Sequence, residues 1–146
     1  MATVADILAS RENKPLVALP PSAIVREALQ LMAERSVGSV LVMQGGALLG
    51  IFTERDYARK IVLHGLTSLD TRLADVMTTR LYVVSPRQTV QECLAIITQS
   101  KVRHLPVMDG DRVVSQVSIG DLVYAQLTEQ RFVIQQLENY IMGNMG

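Results

Sequence analysis

The chain has 146 residues, 49% of them hydrophobic and 19% charged; this suits one compact domain or two very small ones and argues against a disordered chain. Fourteen basic residues balance fourteen acidic ones, which disfavours binding duplex nucleic acid by phosphate neutralisation. The lone cysteine, Cys93, excludes an internal disulfide and a cysteine metal cluster, and the expectation is a soluble cytoplasmic protein with neither a secretory signal nor a bilayer-spanning run.

In chain order, a lead-in at Ala5-Asp6-Ile7-Leu8 precedes a short apolar segment, Val17 to Leu19, that runs into proline as an extended piece does before a turn. A helical stripe follows at Val25, Ala28, Leu29 and Met32. Val40 to Met43 reads as a buried strand, Gln44-Gly45-Gly46 as a tight turn, and Leu48 to Phe52 as a further strand ending at a helix that begins near Thr53. A linker runs from His64 to Thr79, with a short helical turn at Ala74 to Met77. The same elements then return: Tyr82 to Val84, a stripe at Val90, Cys93, Leu94 and Ile97 behind a Thr89/Glu92 capping box, Leu105 to Met108, Asp109-Gly110-Asp111, Val113 to Val117, and a helix from Ser118.

A shift of 65 positions superimposes Leu16 on Leu81, Pro21 on Pro86, Glu27 on Glu92, Gly45 on Gly110 and Asp56 on Asp121, with no gap between Leu16 and Arg59. The chain is a tandem duplication. Each unit reads strand, helix, strand, strand, helix, and a unit this small buries too little surface alone, so the two are expected to pack about a pseudo-twofold axis. The fold class is mixed α+β, with two β-α-β-β-α repeats and a C-terminal helix. The expected divisions are 1–65 for the first repeat with its lead-in, 66–128 for the linker and second repeat, and 129–146 for the helical extension.

Both copies place a hydroxyl residue at the end of the third strand and an aspartate three residues on, at Thr53/Asp56 and Ser118/Asp121. One reading is a helix N-cap with an acidic first turn. The other is a ligand site: the strand-to-helix junction suits an anionic group, while the carboxylate, which would repel a phosphate, suits a sugar diol.

The run Val37-Gly-Ser-Val-Leu-Val-Met43, with Gly50-Ile-Phe-Thr-Glu-Arg-Asp56, Val102-Arg-His-Leu-Pro-Val107 and Ser118-Ile-Gly-Asp121, resembles tandem cystathionine-β-synthase (CBS) domains, above all small stand-alone bacterial pairs and plant organellar ones. The resemblance covers almost the whole chain. It implies a homodimeric module that binds AMP or ATP between its repeats, with NAD(H) as a second ligand class for the second cleft, and that transmits energy or redox state to an unknown partner protein. It implies that Asp56 and Asp121 hold ribose, with Thr53 and Ser118 assisting. The Asp56 cleft would take Tyr82, Val83, Arg103, His104, Leu105 and Pro106, and the Asp121 cleft Val17, Ala18, Gly38, Ser39 and Val40, with Ile51 or Val117 against the adenine face.

Three departures from the family pattern stand out: Ser115 in place of glycine, Gln116 in place of an aliphatic residue, and Leu66 and Leu69 where relatives carry cations. Arg55, Arg59 and Lys60 form either a solvated helical face or a phosphate-neutralising set; Arg103 and His104 are the stronger phosphate candidates, and His104 is also a candidate pH-responsive contact. Cys93 reads as core packing. The sequence contains neither a phosphate-binding P-loop nor a Gly-x-Gly-x-x-Gly fingerprint, and no acid/base pair is evident, so an enzyme is not expected. The alternative function is a ligand-free assembly module. Leu127, Ile134 and Ile141, with Val123, Gln130 and Leu137, fall on a heptad-like seam that suits either packing on its own domain or association of two chains.

Overall fold

A computed structural model describes residues 1–11 and 15–145, with side chains to residue 143. The first repeat comprises β1 (Ala18–Leu19), α2 (Val25–Arg35), β2 (Ser39–Gln44), β3 (Ala47–Thr53) and α3 (Glu54–Asp56), which widens into a π-helical stretch over Tyr57–Val62. The second comprises α5 (Val90–Ser100), β4 (His104–Asp109), β5 (Arg112–Ser118) and α6 (Ile119–Met145). Two short helices precede the repeats, α1 (Val4–Ala9) and α4 (Leu73–Val76).

The duplication extends to irregularities that composition alone does not encode. β2 and β3 pair antiparallel with a bulge at Val42/Met43, and β4 and β5 pair antiparallel with a bulge at Val107/Met108. Helices α2 and α5 both end on a non-glycine residue in the left-handed conformation, Ser36 and Lys101. All four sites obey the same 65-residue register, which matches repeats related by a pseudo-twofold axis.

The lead-in helices exchange partners. Val4 and Ile7 of α1 are buried in the second repeat's core with Val84, Val90 and Leu105. Leu73 and Val76 of α4 are buried in the first repeat's core with Val25, Val40 and Phe52. Backbone bonds fasten both exchanges, Val4 N–H to the Gln88 carbonyl (2.9 Å) and Leu73 N–H to the Ala23 carbonyl (2.8 Å). Each helix therefore buries its apolar side against the repeat it does not precede in sequence. A third cluster, Leu41, Ile51 and Val113 with Leu81 and Met108 against it, forms the seam between the repeats.

The first strand differs between the copies. β1 pairs parallel with β2, and Leu41 N–H donates to the Val17 carbonyl (2.9 Å). Its counterpart at 82–84 makes only the isolated Val84 bridge to Val107. The residue equivalent to Leu41 is Pro106, which has no N–H to give the Tyr82 carbonyl, so the ladder stops one bond short.

Gly50 sits where β3 meets the linker, and Ile51 and Thr78 exchange both backbone bonds there. An added Cβ at Gly50 would lie 2.8 Å from the Thr78 carbonyl oxygen, and backbone cannot yield as a side chain can. Gly50→Ala is expected to destabilise the protein by about 1–3 kcal/mol, read as a lower urea midpoint at unchanged m-value.

Among the described residues, no helix is long and apolar enough to cross a membrane.

Candidate functional site

Two clefts open along the seam between the repeats. Cleft 1, about 340 Å³, is bounded by the end of β3 and start of α3 (Ile51, Thr53, Glu54, Arg55), the segment into the second repeat (Thr78, Arg80, Leu81, Tyr82) and the entry to β4 (Val102, Arg103, His104, Pro106). Cleft 2, about 810 Å³, holds the counterparts Gln116, Ser118, Ile119, Gly120, Pro15, Leu16, Val17, Val37, Gly38 and Ser39, with Arg11, Arg35 and Asp121 among its other walls. The 65-residue shift carries ten of the twelve residues lining cleft 1 onto cleft 2, so the two are copies of one site. Glu54, Arg103 and His104 line both and form the wall between them.

The hydroxyl–aspartate pairs fold as capping boxes in both copies. The Thr53 backbone N–H and hydroxyl donate to Asp56 Oδ2 (3.0 and 3.1 Å), and Asp56 N–H returns a bond to Thr53 Oγ1 (3.2 Å). Asp56 is 6% exposed and does not line cleft 1. Its Oδ1 accepts from the Thr78 hydroxyl (2.8 Å) and faces Lys60 Nζ at 3.1 Å. Thr78 does line the cleft and stands between it and this carboxylate. Lys60 also donates to the Val76 carbonyl (2.9 Å), and Arg59, although exposed, lines neither cleft; of the three cations after Thr53, only Arg55 belongs to the site.

Asp121 keeps the same cap, accepting from Ser118 N–H (2.8 Å), but its surroundings are open and cationic. Arg11 bonds its Oδ2 at 2.7 Å and also donates to Ser115 Oγ (3.0 Å) and the Gln116 carbonyl (2.8 Å), so one arginine spans this end of cleft 2. Deeper in, Gln116 Nε2 donates to the Ser39 carbonyl (2.7 Å) and hydroxyl (2.6 Å), a buried bridge between β5 and β2. Where cleft 1 presents the apolar Ile51, cleft 2 has this polar tie in its wall.

Several expected residues fall elsewhere. Val117 is fully buried in the second repeat's core; side chains alternate along a strand, and Gln116, not Val117, is the equivalent of Ile51. Val40 is likewise core, while Ala18 and Val83 line neither cleft. Thr53, Arg55, Ile51, Tyr82, Arg103, His104 and Pro106 do converge on cleft 1, and Val17, Gly38, Ser39, Ser118 and Asp121 on cleft 2. No sequence motif points to Arg80, which lines cleft 1 and whose guanidinium carbon stands 5.8 Å from the centre of the Tyr82 ring.

Burial holds the His104 imidazole below its ordinary pKa; Glu54 and Asp121 oppose this, and Arg55 and Arg103 add to it. The imidazole is therefore uncharged at neutral pH, and the positive charge on the shared wall is Arg103's. Gly38 makes room there: an added Cβ would run into Glu54 Oε1 and stand 3.1 Å from His104 Cε1. Cys93 is fully buried on α5, and burial, with Glu92 beside it, pushes its thiol up to about 11, which matches core packing.

The family model for the CBS domain matches the chain twice, over residues 4–63 and 73–128. A CBS domain-containing protein of Arabidopsis thaliana mitochondria, CBSX3, is 39% identical over 124 residues, which cover 82% of this chain; this chain spans only 60% of that protein's length. The structure of a CBS-domain protein from Burkholderia ambifaria superimposes with a TM-score of 0.83 at 40% identity, covering 88% of this chain and 96% of that one. The same fold occurs in a CBS domain protein from Pyrobaculum aerophilum complexed with AMP (TM-score 0.70, 21% identity, covering 82% and 88%).

Proposed function

This chain belongs to the CBS-domain family, and from that premise we propose that it is a regulatory module, without turnover of its own, that binds an adenine nucleotide in cleft 1 and signals occupancy to a partner protein.

The observation that carries the reading is how cleft 1 departs from its own copy. Pro106 leaves the Tyr82 carbonyl without the strand donor that Val17 has, and an exocyclic amine is a fitting substitute. Ile51 and Pro106 supply an apolar wall for a purine face, where cleft 2 has the polar Gln116 in the place of Ile51. Thr53 stands at the cleft edge with Asp56 behind Thr78, a hydroxyl and a carboxylate suited to ribose. AMP or ATP fits this set, and AMP held by a protein of the same fold accords with it. NAD(H) is the second ligand class, assigned to the larger cleft 2, whose walls include the Gln116–Ser39 tie and the Arg11–Asp121 pair. A cytoplasmic setting and a homodimer joined along α6 complete the proposal. Signalling requires only that the nucleotide prefer one arrangement of the repeats to another.

Protein stripped of carried-over ligand should bind AMP or ATP with a stoichiometry of one per chain by titration calorimetry. At 100-fold excess over the dissociation constant, stabilisation should be about 2.7 kcal/mol, a thermal shift of roughly 5–10 °C. No shift with AMP, ADP, ATP, NAD or NADH would leave the assembly module as the function.

A further inference from the structure

Resting on the nucleotide reading above, we infer that cleft 1 selects for phosphate number, taking adenosine tri- and diphosphate in preference to the monophosphate. Three arginines from separate elements border it: Arg55 at the start of α3, Arg80 ahead of Tyr82, and Arg103 ahead of β4. One carboxylate, that of Glu54, lines the same cleft, and it leans toward Gly38 on the wall shared with cleft 2. Among the described residues, the ion pairs formed involve none of the three arginines. Arg55 commits one Nη to the Lys101 carbonyl (2.8 Å), and Arg80 rests against the Tyr82 ring.

The duplication supplies an internal control. At the positions of Arg55, Arg80 and Arg103 the other copy has Gly120, Pro15 and Gly38, so the repeat folds without a cation at any of them. Of the two further arginines of cleft 2, Arg11 is paired with Asp121, while Arg35 donates to the Pro15 carbonyl (2.7 Å) as Arg55 does to that of Lys101. Among the described residues, cleft 1 is thus bordered by three arginines outside any ion pair, and cleft 2 by two, Arg35 and the shared Arg103. A monophosphate dianion is matched by two guanidinium groups; the third gains a partner only when a second or third phosphoryl group is present.

Calorimetric titration of the nucleotide-stripped full chain with magnesium-free AMP, ADP and ATP tests this. The expected result is an affinity that rises with phosphate number, ATP binding about tenfold or more tightly than AMP, with the gap narrowing as salt is raised. Arg55→Gln combined with Arg80→Gln should remove the difference between ATP and AMP; both side chains are exposed, and an unchanged melting curve would show that the fold is intact. Equal affinities for AMP and ATP, or a ratio that survives the double substitution, would overturn the inference while leaving the nucleotide reading in place. Tripolyphosphate competing as well as ATP would also overturn it, since the cleft would then be a general anion sink. Silence toward all three nucleotides would remove the nucleotide reading itself and this inference with it.

Discussion

Asp56→Ala is expected to lower the melting temperature by about 10 °C, whereas Asp121→Ala, the same change in the same motif, should lower it by only a few degrees. The contrast follows from surroundings. The Asp56 carboxylate is almost wholly buried and satisfies the Thr53 N–H and hydroxyl, the Thr78 hydroxyl and one face of Lys60. Its removal leaves those donors facing a void, and bonds to a charged acceptor are worth about 1.5–3 kcal/mol each when lost from a buried site. Lys60 is 40% exposed, so water recovers much of its share, and a total of about 3 kcal/mol is the reasonable figure. Asp121 has 38% of its side chain exposed and its partner Arg11 34%, so an alanine there costs little more than a helix cap, about 1 kcal/mol or less. Differential scanning calorimetry of the two variants at one pH and salt reads the comparison directly.

The same pair of variants separates structure from ligand chemistry. If Asp56 receives ribose once the Thr78 hydroxyl has moved aside, nucleotide affinity measured well below the lowered melting point should fall about tenfold. Asp121→Ala should leave that affinity alone. Unchanged affinity in Asp56→Ala would restrict the residue to its cap, and equal thermal losses in both variants would contradict the difference in burial.

The duplication was legible because a repeated fold must repeat its punctuation: turn glycines, capping pairs and apolar stripes recur at one spacing. The exchange of α1 and α4 between repeats was not, since Val4 and Ile7 would satisfy either core equally and only packing decides which. At the site, the residues that converge on cleft 1 came from motif positions, and the errors came from the strand's period of two. Val117 and Gln116 are adjacent in sequence but face opposite sides, so a slip of one residue moved the expectation from the cleft wall into the core. Gln116 stood out as unusual for its position, yet its partner Ser39 lies 77 residues away, and no local pattern links them. Arg11 is likewise brought to Asp121 across 110 residues by the turn after α1.

Light scattering of the intact chain is expected to give twice the 16.1 kDa chain mass, and Ile134→Asp with Leu137→Asp should return it to one chain. Helix α6 has 27 residues, about 40 Å, more than its own repeat can cover. Its first part is anchored by the fully buried Leu122 and by Glu129, which accepts from Ala2 N–H at 3.1 Å. Beyond that point Phe132, Val133, Ile134, Leu137, Tyr140, Ile141 and Met142 are all at least half exposed. Single exposed apolar residues are ordinary, but a contiguous band of this size marks a surface that water does not normally keep. Its spacing favours a second copy as the cover. Leu127, Ile134 and Ile141 fall at the a position of a heptad and Val123, Gln130 and Leu137 at d, and isoleucine at a with leucine at d favours two parallel strands. Because both substituted residues are exposed in the single chain, the double variant should fold but lose the concentration dependence of its melting temperature that a dimer shows. A mass unaltered by the two aspartates would move the dimer contact away from α6.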